Sequence, residues 1–162
     1  MLMKTEVFLS AKDLGLIEQY YQGLCRVLTM LEREEFANIT VSETNKLLDT
    51  YLLLSDDDPL NPANKKYFTM SVGRFYTNCG TIACIMGWAV LFAELTDDVI
   101  RARGEGGRRD ECELYLKTIT HTQITNHSIL VRPIGWRTHN YSQKEAACAL
   151  RSYLETGTPV WA

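Results

Sequence analysis

The chain has 162 residues and a mass of 18.5 kDa, a length that predicts one domain with a real hydrophobic core. Its 46% hydrophobic and 23% charged residues exclude a disordered polymer, and a net charge of -3 argues against nucleic-acid binding through bulk charge. No apolar run reaches the roughly 18–20 residues of a membrane span. Met1-Leu2-Met3-Lys4 leads into polar residues rather than a secretory signal core. Five cysteines cannot all pair, so the expectation is reduced thiols in a cytoplasm, with no membrane partner.

The first predicted element is one long amphipathic helix. Ser10 and Asp13 form a capping-box pattern, and Leu14, Ile17, Tyr20, Tyr21, Leu24, Val27, Leu28 and Leu31 recur at spacings of three and four. Its second face, with Tyr20, Tyr21 and Cys25, is one a second copy of the chain could cover. Glu32, Arg33, Glu34 and Glu35 suit the helix dipole poorly and read as a solvated face. Ser42 is the expected cap of a second helix carrying Leu47, Leu48, Tyr51 and Leu52, stopped by the aspartates before Pro59. Residues 59–78 read as loop, with a short extended piece at Tyr67 to Met70.

A central helix is expected at about 81–95. From Ile82 to Ala93 only Gly87 falls outside the apolar class, and a helix apolar all round belongs inside a core. Gly87 marks either a close helix crossing or a ligand against the backbone. Arg101, Arg103, Arg108 and Arg109 then flank three glycines in a loop that reads as a linker, or as a grip on an anionic partner. A short helix is expected around Asp110 to Lys117. Thr120 and Gln123 form a capping box for a helix with Ile124, Ile129 and Leu130, ending before Pro133. The last helix starts at Ser142 with Glu145, buries Ala146, Ala147, Leu150, Tyr153 and Leu154, and stops at Gly157. The class is therefore all-α or nearly so: a single helical domain over 1–162, with N-terminal helices in 1–58 and a motif-bearing core in 59–162.

The motif is Cys79-Gly80-Thr81-Ile82-Ala83-Cys84-Ile85-Met86-Gly87-Trp88-Ala89. It resembles the C-G-T-x-x-C-x-x-G-[WH]-A pattern of a group of small, uncharacterised bacterial and bacteriophage proteins. Phe68-Thr69-Met70, the Leu116 to Leu130 region and the close on Gly157 and Trp161 look like weaker features of the same group. The likeness covers roughly residues 65–162. It carries over no catalytic residues, and what it implies is an accessory role, including inhibition of a host defence system.

Read physically, Thr81 is the expected N-cap, with Gly80 turning the chain into it and Cys79 just outside the helix. A thiolate there is favoured by the dipole and, with His121 or His127 as base, makes a nucleophile; the plainer reading is a structural thiol. Cys79-x4-Cys84 and His121-x5-His127 sit at the loose end of zinc spacings, and Cys84 is committed to the core, so neither metal nor cofactor is expected. Trp88 is core. Trp136 and Trp161 lie in connections, where they either cover a core edge or anchor a partner. Two functions from different classes follow: a non-enzymatic protein that binds a partner protein or small ligand, and a thiol-dependent enzyme using Cys79.

Overall fold

The structure, a computed structural model, describes residues 7–50, 65–71, 74–77, 80–94, 121–136 and 138–161. It is mostly helical. Its described elements run α1 (Ala11–Leu14), α2 (Glu18–Glu32), β1 (Ala37–Asn38), α3 (Val41–Thr50), β2 (Lys65–Phe68), β3 (Arg74–Thr77), β4 (Gly80–Ala83), α4 (Ile85–Phe92), α5 (His121–Val131) and α6 (Gln143–Thr156).

Four short strands add one small sheet to the all-α or nearly all-α expectation. They form one sheet in the order β1-β2-β4-β3. β2 pairs in parallel with β1 and β4, setting Tyr67 opposite both Ala37 and Ile82. β3 returns antiparallel to β4, Phe75 opposite Ile82. The apolar run from Ile82 is thus divided. Its first two residues end a strand, Cys84 turns the chain, and a helix begins at Ile85. An apolar run with no polar face carries no period, so it does not separate a buried strand from a buried helix.

The cap assignment shifts with it. Thr81 is a strand residue, and the N-cap is Cys84, whose Sγ accepts a hydrogen bond from the Gly87 amide at 3.5 Å. All eight residues of α4 are buried. Trp88 is at its centre, donating its indole N–H to the Tyr67 carbonyl at 3.0 Å and meeting Phe36 and Phe92 at ring separations of 5.1 and 5.5 Å.

The single long N-terminal helix is two helices. The Ser10–Asp13 capping box is present, but Gly15 enters the left-handed region (φ 72°) and closes α1 after four residues. α2 keeps the apolar stripe, with Tyr20, Tyr21, Leu24, Val27, Leu28 and Leu31 buried. The tyrosines are therefore not a face for a second copy: Tyr21 donates its hydroxyl to the Leu9 carbonyl, and Tyr20 meets His127. The close helix crossing lies at Gly23 of α2. A Cβ there would overlap the carbonyl oxygen of Ala89 on α4 and stand 3.0 Å from its carbon.

The cap of α3 is Thr40, two residues before the expected Ser42, because Thr40 and Glu43 form a reciprocal capping box. Glu32 is more than a solvated charge: Arg151 of α6 grips both its carboxylate oxygens, at 2.7 and 2.9 Å. α6 is as expected from sequence, with the Ser142–Glu145 capping box at its start and Gly157 at φ 81° at its end. The expected helix around 110–117 lies outside the described residues.

Candidate functional site

Only some of the sequence candidates fall among the described residues. Cys79 and the arginines at 101, 103, 108 and 109 lie outside the described residues. His121 begins α5, and His127 lies on the same helix with no exposed surface. Cys84 is buried, and burial pushes its thiol up from its ordinary range, which is the opposite of nucleophile activation. Among the described residues no group of three or more histidine, cysteine, aspartate or glutamate side chains is placed to hold a metal ion.

Trp136 and Trp161 do share a region. It is built from the C-terminal half of α5, the turns of 133–141 and the tail after α6. Pro133-Ile134-Gly135-Trp136 is a tight turn, closed by the Trp136 amide on the Pro133 carbonyl at 3.0 Å, with Gly135 at φ 74°. A positive φ at the third position is what a type II turn requires, and Gly is the residue that accepts it. The turn lifts Ile134 out of the fold: 97% of its surface is exposed, although Pro133 before it is buried. The Tyr141 hydroxyl donates back to the Ile134 carbonyl and fixes the tip.

Tyr141 then links the turn to the tail. Its ring is 4.7 Å from that of Trp161 and 4.3 Å from that of His139. Trp161 donates its indole N–H to the Ile129 carbonyl at 3.0 Å, tying the tail to α5. Ile129 (43%) and Val160 (52%) are exposed beside these contacts. Three of the four large apolar side chains exposed among the described residues therefore belong to this one region, the fourth being Val7. His139 and Glu145, 3.8 Å apart, supply a polar rim.

Trp161 is partly buried, packed against the core edge and beside Tyr141. Sequence reasoning missed Ile134, Ile129, Tyr141 and Val160. A signal was present in Ile134: an isoleucine at the apex of a Pro-Ile-Gly-Trp turn has no helix or strand face to serve.

Under the surface, His127 is enclosed by α2 and α6. Its Nε2 is 2.8 Å from the Tyr20 hydroxyl, and its ring meets those of Tyr20 and Tyr153 edge-on at 5.7 and 6.2 Å. Nδ1 has no hydrogen-bond partner among the described residues. Burial, then the nearby Arg132 charge, lower its pKa from 6.5 to about 4. A histidine so placed is a neutral packing group rather than a base open to solvent.

No family model, no curated protein and no solved structure matches the chain.

Proposed function

We propose that this chain is a small, non-enzymatic interaction protein that docks a partner protein on the surface formed by Ile129, Ile134, Tyr141, Val160 and Trp161. The observation that carries the reading is Ile134, held almost fully exposed by a specific turn and a specific hydroxyl contact. An isoleucine presented this way gives up about 1.5–3 kcal/mol of burial unless a partner covers it. Tyrosine and tryptophan beside it are the side chains that most often dominate binding surfaces.

The likeness of residues 79–89 to the motif of small bacterial and bacteriophage proteins supports a cytoplasmic accessory role of that kind, including inhibition of a host defence system. Trp136, in the same turn, belongs to the proposed surface. Arg101, Arg103, Arg108 and Arg109 enter it only as charge that an acidic partner would feel. Changing all four to Ser is expected to leave binding unchanged. An arginine-gripped partner would instead lose affinity in that variant and with rising salt.

The test is capture from bacterial lysate with the unmodified chain and with Ile134→Asp. The reading expects a specific protein companion that Ile134→Asp loses, at unchanged fold. A thiol enzyme using Cys79 expects the reverse: Ile134→Asp behaves as the parent, while Cys79→Ser folds and loses function.

A further inference from the structure

We propose that His127 is an acid-sensitive latch, holding α5 against α2 and α6 while its imidazole is neutral and releasing α5 when the ring takes up a proton. The ring is fully buried between Tyr20 of α2 and Tyr153 of α6. Among the described residues, those two phenols are the titratable groups whose rings face it from α2 and α6. The one formal charge felt at the ring among the described residues is Arg132, just past the end of α5, and it is of the same sign as imidazolium.

In the neutral ring one nitrogen serves the Tyr20 hydroxyl and the other is buried with no hydrogen-bond partner among the described residues. Protonation turns Nδ1 into a buried, charged N–H with no acceptor among those residues. An unpaired buried charge of this kind is relieved most directly by opening the contact that buries it.

The sign follows from linkage. The ring binds its proton at an ordinary 6.5 once exposed and only at about 4 when latched. The released state therefore binds more protons between those limits. Latching is at full strength above pH 6.5 and is lost as pH falls toward about 4. Release would have to break the Trp161 indole contact to the Ile129 carbonyl, which ties α5 to the tail. Release would also dismantle the exposed surface that α5 helps to build, so acid would couple the interior to the docking face. The latch itself does not depend on that docking reading.

The experiment is amide hydrogen exchange of the full chain at pH 7.5 to 4.5, with protection corrected for intrinsic rates. Unmodified protein and His127→Phe are compared, and the His127 ring is followed by NMR in the unmodified protein. The expected result is that α5 protection falls by up to about tenfold for each pH unit below 6.5. α4 should keep its protection, and His127→Phe should be flat over this window. The same acid loss in His127→Phe, or an equal loss in α4, would overturn the latch. Should His127→Phe fail to fold, the ring titration decides. A ring neutral to below pH 5 supports the latch, and one that titrates near 6.5 refutes it.

Discussion

At Gly23 the backbones of α2 and α4 lie close, and this residue sets how near α2 lies to the fully buried α4. A methyl group there meets a main-chain carbonyl rather than the end of a flexible side chain. α4, buried on every side, has little room to give. Gly23→Ala is therefore expected to destabilise by about 1–3 kcal/mol or more, even though alanine is the better helix former. A lower denaturant midpoint at unchanged slope would verify it. The thiols make a second prediction at this scale. Cys148 is exposed, Cys25 is half-buried and Cys84 is buried, and burial raises the pKa of the latter two. Timed alkylation of the native protein should label Cys148 first, Cys25 slowly and Cys84 only on unfolding.

At the scale of elements, α6 is the best-specified segment. Its cap, its apolar face and its glycine stop are all local and all agree. Ser142→Ala removes the acceptor for the Glu145 amide and should cost about 0.5–2 kcal/mol, read as a lower thermal midpoint. Arg151→Ala, in the same helix, breaks two ion pairs, one to Glu32 of α2 and one to Glu155 of α6, but the guanidinium is substantially exposed, so the loss should stay under about 1 kcal/mol. The same contrast explains what could be read from the chain alone. Capping boxes and helical stripes are local signals, and α2 and α6 follow from them. The sheet is not local: its strands are two to four residues long, and β1 finds β2 across an intervening helix. Such strands have no length in which alternation could register. Gly15 does not read as a helix stop in the sequence, because the stripe of apolar residues runs straight across it, while the backbone does not.

For the whole molecule, the central claim is a division of labour. The interior is a mostly helical core around Trp88, and the proposed recognition surface is one aromatic region where α5, the 133–141 turns and the tail meet. Little of that region was legible beforehand, because its members are scattered from 129 to 161 and share no period. Trp136 and Trp161 could be singled out by residue type alone, and Ile134 only by its turn. Trp161 is a poor probe, since it also ties the tail to α5. Ile134 is the clean one: its side chain leans on little of the fold, so Ile134→Asp should change stability by no more than about 0.5 kcal/mol. The most direct measurement is quantitative capture from bacterial lysate by three matched baits: the unmodified chain, Ile134→Asp and Cys79→Ser. The account predicts one protein companion held equally by the unmodified chain and Cys79→Ser, and reduced at least about tenfold by Ile134→Asp. A companion that Ile134→Asp keeps and Cys79→Ser loses, with all three baits equally folded, would contradict it.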